Sequence, residues 1–280
     1  MIAGIKLIAV MFNNKKAIFL ISLVLLPGLA FSDGKISLRF HGGWTFISGG
    51  DANHGTQSYF DYHKSLWPES SGGFRTVHNG YEAGGDIVFE LTPRLGLGIG
   101  GGYMNISRSS RMSLSIGLSN ASVFAKPSLS AVPIRGNAYF NMPLSKRLNL
   151  LADVGLSYYF KARYRDELTA LYWVGEILAG YTLITTRAEY KKTPISFQGG
   201  ISLEYAIWHN FFPFLEARIR YARFCGWKGT SVLESSFETP LSEQGILYYE
   251  VVPTLLNEPR LLMVQSSPPD GPGGHPRQAA

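Results

Sequence analysis

The sequence predicts an all-β fold class: an antiparallel up-and-down transmembrane β-barrel of about eight strands. Three observations predict it. The N-terminus has the features of an export signal, polar and apolar residues alternate with a period of two through most of the chain, and the connections between these segments are by turns short and long.

The composition narrows the class of protein before any segment is considered. Of the 280 residues 16% are charged, whereas an average soluble domain has about 25%. This low charge argues against a disordered chain and against a charged coiled coil. The mean hydropathy of +0.03 is too low for a helical membrane protein with many spans.

Residues 1–32 predict a secretory signal peptide. Lys15 and Lys16 precede the short apolar run 17–26, and small residues follow at 30–32. The run is shorter than the roughly 20 residues of a membrane span, although a retained N-terminal anchor helix is the alternative. Removing residues 1–32 takes away three lysines and no acid, so the net charge falls from +6 to +3 and nucleic-acid binding loses its main support.

Seven later segments alternate as half-buried strands do. In residues 95–103 the alternate positions from Gly96 to Gly102 are all glycine, which weakens a strand but makes room inside a crowded barrel. The lengths of the seven segments suit a tilted transmembrane strand, which needs roughly 9–11 residues to cross a bilayer. The predicted strands are 36–46, 77–91, 95–103, 132–142, 148–162, 195–207 and 215–221.

The connections between these strands separate a barrel from a soluble β-sandwich, which would also alternate. Three links are short, and four are long and are predicted to be outer loops. Transmembrane barrels have short turns on one side of the membrane and long loops on the other, so their connections alternate in length. A soluble sandwich is not expected to show this alternation. The long links are 49–75, 105–130, 163–194 and the chain after residue 224.

Two stretches resemble a known family: residues 80–100, GYEAGGDIVFELTPRLGLGIG, and residues 151–159, LADVGLSYY. With the signal peptide they resemble the OmpA/OmpW-like outer-membrane β-barrel domain family over about residues 35–224. The resemblance implies a Gram-negative-type outer membrane and usually eight strands. The chain departs from the family in ending without a strand that has a terminal aromatic residue, and in having no OmpA-type peptidoglycan-binding domain.

An eighth strand is needed to close such a barrel, because an open edge in lipid leaves backbone groups unpaired. The sequence leaves two alternatives. Either residues 245–265 supply the closing strand, or they form an outer hairpin and the closing strand is missing because the chain is truncated. We therefore predict a signal peptide over residues 1–32, a barrel domain with long outer loops over 33–266, and a disordered Pro/Gly-rich tail over 267–280.

Charged residues recur on the face of the strands that would line the barrel. An eight-stranded barrel is filled by side chains, and charges buried there must pair, so a salt-bridge network that plugs the lumen is predicted. An ion or solute path is the alternative. The predicted network consists of Arg39, Glu82, Asp86, Glu90, Arg135, Asp153, Glu204, Glu216, Arg218 and Arg220, and Lys161 is predicted to share their face.

These features favour a structural or envelope-interaction role in the cell outer membrane. A pore for small solutes or hydrophobic compounds is the first alternative, and a lipid-modifying enzyme is the second. No nucleophile, base or metal-ligand spacing is found, so the protein is not expected to be an enzyme or to hold a cofactor or metal.

The expected partners are outer-membrane lipid and lipopolysaccharide, with an extracellular ligand as a further candidate at loops 49–75 and 163–194, where aromatic and basic residues concentrate. Nucleic acid is not expected to be a partner, and the protein is expected to be a monomer. The single cysteine, Cys225, is predicted to lie near the outer rim as an inert thiol.

Overall fold

The computed structural model describes residues 19–22, 28–33, 36–47, 57, 60–61, 64, 67, 69–75, 78–190, 195–208, 210–222, 224, 226–251, 260–265 and 277–278. Most of the predicted signal peptide, nearly all of the predicted tail 267–280 and Cys225 lie outside the described residues. The predictions about those segments therefore stay predictions.

The protein is all-β, as predicted, and every pair of strands that the structure describes is antiparallel. In the part of the chain that the structure describes, no helix is long and apolar enough to cross a membrane. The strands are β1 (Phe19–Ser22), β2 (Gly28–Asp33), β3 (Ile36–Ile47), β4 (Glu69–Gly73), β5 (Asn79–Thr92), β6 (Leu95–Ser107), β7 (Ser110–Ile116), β8 (Ser119–Ala125), β9 (Ser128–Pro143), β10 (Leu148–Val174), β11 (Ile177–Tyr190), β12 (Ile195–Tyr205), β13 (Phe211–Tyr221), β14 (Trp227–Ser235), β15 (Leu241–Val251), β16 (Arg260–Gln265) and β17 (Arg277–Gln278).

The seven predicted strands are all present. They are β3, β5, β6, β9, β10, β12 and β13, and they pair with one another in that order. We call this part the lower sheet. Its hairpins turn through Pro93–Arg94 and through residues 144–147, where Ser145 Oγ accepts hydrogen bonds from the backbone of Arg147 and Leu148.

The prediction of about eight strands is wrong, because the main body of the sheet, β3–β15, has thirteen. The additional strands come from the long links that were predicted to be loops. In β7, for example, Met112 and Leu114 are buried while Ser113 and Arg111 are exposed, which is the same period of two. These additional strands pair in the order β4–β7–β8–β10–β11–β14–β15, which we call the outer sheet.

The 27-residue strand β10 belongs to both sheets. Residues 148–158 pair with β12 and residues 149–165 with β9, whereas residues 163–174 pair with β11 and 168–174 with β8. The register shifts between Phe160 and Arg163, where Lys161 has a φ of 49°. A bulge thus separates the two halves of one continuous strand.

The thirteen strands do not form a closed sheet, because β3 and β13 end the lower sheet and do not pair with each other. The short strands β1 and β2 pair with both of these edges: Ala30 is opposite Arg39 on one side and Phe212 on the other. Residues 246–251 instead pair with 260–265. The alternative in which 245–265 pairs with β3 is therefore wrong for the described residues. The antiparallel pairing expected of a hairpin is present, and its position outside a membrane stays a prediction.

The two faces of the lower sheet have opposite chemistry. On one face apolar side chains are exposed, including Phe197 at 68% and Ile219 at 62%. On the other face Arg135 and Arg220 are 1% exposed. The sheet is curled around this second face, because Arg39 on β3 reaches Glu204 on β12, close to the far edge of the pairing order. We call it the concave face, and the apolar face the convex face.

Candidate functional site

The predicted charge network lies on the concave face. Nine of its ten members are buried, as expected for side chains of one parity on curled strands. Glu90 is exposed, because it lies near the end of β5, at the mouth of a cavity of about 110 Å³ that Arg39 and Glu204 also line. Lys161 is also exposed, so its predicted place on the charged face is wrong; the bulge changes its orientation.

Glu82 is the centre of the network. Arg135 Nη1 donates to Glu82 Oε1 at 2.8 Å, and Arg220 Nη2 donates to the same oxygen at 2.8 Å. Arg220 Nη1 lies 2.5 Å from the other oxygen, Oε2. One carboxylate on β5 therefore accepts hydrogen bonds from arginines on β9 and β13, which supplies charge-assisted bonds to all three buried groups.

Arg135 connects this centre to Asp86 and His41. Its Nε donates to Asp86 Oδ1 at 3.2 Å, and its Nη2 lies 2.9 Å from His41 Nε2. Glu82 and Asp86 lie on the same face of β5. Here Arg135 lies between them, so they act as counter-ions of one guanidinium.

Neutral polar side chains, which the sequence analysis did not include in the network, complete it. Gln198 Oε1 accepts a hydrogen bond from Ser157 at 2.6 Å and from Arg220 Nε at 3.0 Å. Its amide nitrogen donates to Asn137. Their signal in the sequence is the same parity as that of the charged residues.

Two further groups of ions lie toward the end of the lower sheet that has the short turns at 93–94 and 144–147, which we call the short-turn end. Arg39 pairs with Glu204 and donates to Ser202 Oγ at 3.1 Å, and its guanidinium lies 4.3 Å from the ring centre of Phe214. Arg218 Nη2 lies 2.5 Å from Glu216 Oε1, but this oxygen has no hydrogen-bond partner in the structure, so the contact is electrostatic.

The buried network holds four arginines and five carboxylates, so its charges are nearly balanced. Apolar clusters enclose it at both ends. Val88, Tyr139 and Leu151 lie at the short-turn end. A larger cluster lies at the other end, where Phe224 contacts Tyr159 with ring centroids 5.2 Å apart.

This larger cluster is mainly aromatic at its centre. The Phe224 ring lies 5.4 Å from that of Tyr190 and stacks on Trp227 at 5.7 Å. Charges enclosed between apolar layers have no water to solvate them, so they must neutralise one another. The arrangement suits occlusion of the concave space. No group of three or more metal-binding side chains occurs among the residues that were described.

The two segments predicted as ligand-binding loops have different surroundings. In 49–75 the described aromatics face inward: Phe60 is 1% exposed and, with Trp67 and Phe74, packs against the core of the outer sheet. Of the segment 163–194, residues 163–190 form the hairpin of β10 and β11, and a groove of about 840 Å³ crosses its exposed face. Both segments have exposed charged residues, such as Asp61 and Lys64 in the first, but only the second places a cluster of them along a groove.

No protein-family model matches the chain, and no curated protein or solved structure shows significant similarity to it.

Proposed function

We propose that this chain is an outer-membrane β-barrel with an occluded lumen, which anchors the outer sheet at the cell surface in a structural or envelope-interaction role. The observation that carries the proposal is the inverted burial of the lower sheet. Large apolar side chains are exposed on every strand of its convex face, while arginines rank among the largest fully buried side chains. In a water-soluble protein this large apolar surface would be exposed to water, which is unfavourable. In a membrane it would contact lipid hydrocarbon instead.

The height of the apolar surface fits a membrane. On β3, exposed apolar residues extend from Ile36 to Phe46. Ten residue steps at about 3.3 Å cover roughly 33 Å along the strand. If the strand is tilted by about 40°, this length spans about 25 Å along the membrane normal. The apolar band of outer-membrane barrels is also about 25 Å tall.

A barrel in lipid has no free strand edge, so the position between β3 and β13 must hold a strand. The pairing of β1 and β2 with both edges supports a closed arrangement of eight positions. These two strands lie almost wholly within the predicted signal peptide. N-terminal sequencing of the membrane-inserted protein tests which strand closes the barrel: a start near Asp33 assigns the position to another strand, and a start before Phe19 assigns it to β1 and β2.

The layered interior favours occlusion over a pore. A path along the axis would have to cross the ion pairs of Glu82 and then the aromatic cluster around Phe224. Eight strands leave an interior just wide enough for side chains to fill.

Two measurements test the proposal. Fractionation with a heat-modifiability gel should find the protein in the outer membrane and migrating differently after boiling. Migration unchanged by boiling, or a soluble protein, contradicts the barrel. Purified protein in planar bilayers should show no open-channel steps, and a large, steady single-channel conductance would favour the solute pore instead.

A further inference from the structure

We infer that the exposed face of the β10–β11–β14 sheet binds the phosphate groups of a membrane glycolipid, of the lipopolysaccharide kind, that surrounds the barrel. The inference rests on the proposed function for its membrane setting. The binding chemistry stands on the residues of the face itself, which we call the basic face: Arg163, Arg165, Arg187 and Lys228, with Glu189 and Glu167 among them.

The pairing register places these cations side by side. Arg165 is directly opposite Arg187, and Glu189 is opposite Arg163 on one side and Lys228 on the other. Directly opposed residues of an antiparallel pair have Cβ atoms about 5 Å apart and point to the same face. Two adjoining rows therefore carry four cations and one carboxylate, Glu189, and the other carboxylate, Glu167, lies in the next row.

Those carboxylates neutralise only two of the cations. Arg163 Nε donates to Glu189 at 2.8 Å, and Arg165 pairs with Glu167. Among the residues that the structure describes, Arg187 and Lys228 form no ion pair. Like charges set directly opposite each other in a sheet are destabilising, so the Arg165–Arg187 pair carries an electrostatic cost that a bound anion would remove.

The bulge at Lys161 is what turns the arginines outward. On the lower half of β10 the even-numbered residues Val154 to Phe160 are exposed. Beyond the bulge Tyr164 is buried while Arg163 and Arg165 are exposed, so the parity has changed. A regular strand would have put Tyr164 outside and both arginines inside. An extra residue that redirects side chains is a common use of bulges near binding sites.

The position of the basic face identifies the source of the phosphate. Arg163 follows Phe160, the last exposed apolar residue of the convex face on β10, by three residues, or about 10 Å along a strand. Cations directly beyond an apolar band meet the headgroup layer of the lipid that the band contacts. The groove between these residues has a volume of about 840 Å³ and is open, which suits sugar phosphates.

The test compares two double charge reversals in purified, refolded protein. Arg187→Glu with Lys228→Glu changes the basic face, and Arg94→Glu with Arg147→Glu makes the same change in net charge at exposed short turns of the opposite end. Each is titrated with phosphorylated lipopolysaccharide, with the same lipid after chemical dephosphorylation, and with inorganic polyphosphate as a soluble anion. Arg187→Gln with Lys228→Gln provides a milder variant should the reversal fail to refold.

We expect the first reversal to weaken binding of phosphorylated lipopolysaccharide at least about tenfold and the second to leave it unchanged. Dephosphorylated lipid should bind all variants weakly and alike, and added salt should weaken only the phosphate-dependent part. Equal affinity of the two reversals overturns the inference. Competition by polyphosphate as strong as by the lipid overturns the membrane source. If wild type and all variants refold with normal heat-modifiability but none binds the lipid, the inference about the basic face is rejected. The proposed barrel is not contradicted by that result.

Discussion

Arg220 on β13 and Glu82 on β5 are 138 residues apart in the chain, yet Arg220 Nη2 donates to Glu82 Oε1 at 2.8 Å inside the protein. Both side chains are 1% exposed. Because β5 and β13 are not neighbours in the sheet, this contact exists only if the sheet curls. The ion pair is therefore both a measure of the curvature and one of the interactions that stabilise it.

Glu82→Ala should destabilise the folded protein strongly. It would leave the guanidiniums of Arg135 and Arg220 buried with too few counter-ions, which typically costs about 3–5 kcal/mol. The free energy of unfolding is measured by urea titration of the protein in lipid vesicles. Glu189→Ala removes one partner of an exposed ion pair and should cost no more than about 1 kcal/mol. Similar losses for both variants would contradict a buried network.

Gly100→Ala should destabilise the protein because Gly100 faces the network. An added Cβ would lie 2.6 Å from the Asp86 carboxyl carbon and 2.6 Å from the backbone oxygen of Gly85. Overpacking of this kind costs about 1–3 kcal/mol. Gly136, on the adjacent strand, has no atom within 4 Å of such a Cβ, so Gly136→Ala should be neutral or slightly stabilising. The same titration compares the two, and equal effects would count against a crowded concave face.

Lys161 has a φ of 49°, a conformation that asparagine tolerates and β-branched residues resist. We expect Lys161→Ile to be less stable than Lys161→Asn by about 1–3 kcal/mol. Both variants lose the contact of the Lys161 ammonium with the Phe160 ring, so their difference isolates the backbone. Equal unfolding free energies would mean that β10 has no left-handed residue there.

Tyr164, in the outer sheet, should make stability depend on alkaline pH. Burial, and then the nearby Asp166 carboxylate, raise the pKa of its phenol well above the usual 10.0. The folded state therefore keeps the proton that the unfolded state loses, so this contribution to stability is full below about pH 10 and falls as pH rises above it.

Comparing wild type with Tyr164→Phe isolates this effect. The phenylalanine variant should lose less stability between pH 9 and 11 when unfolding is followed by fluorescence, with the exposed Tyr181→Phe as the matched control. An identical pH dependence in all three proteins would show that Tyr164 ionises freely.

The sequence alone determined which face of each lower strand is apolar. Successive side chains of a strand point to opposite faces, so the parity of Arg135 or Asp153 can be read without knowing what lies opposite. The same rule placed seven strands correctly and predicted that the glycines from Gly96 to Gly102 share one face. It failed for the long links, where strand patterns such as Met112 and Leu114 were interpreted as loops because of the length of the link.

The tertiary structure alone decided which charges meet. Partners such as Arg39 and Glu204 are brought together by curvature of the sheet, a property of all its strands that no local pattern encodes. It also decided the reversal of parity at Lys161, because a bulge depends on the register of the partner strand as much as on its own residues. Local periodicity is set by backbone geometry, whereas pairing across the concave face is set by how the whole sheet curls.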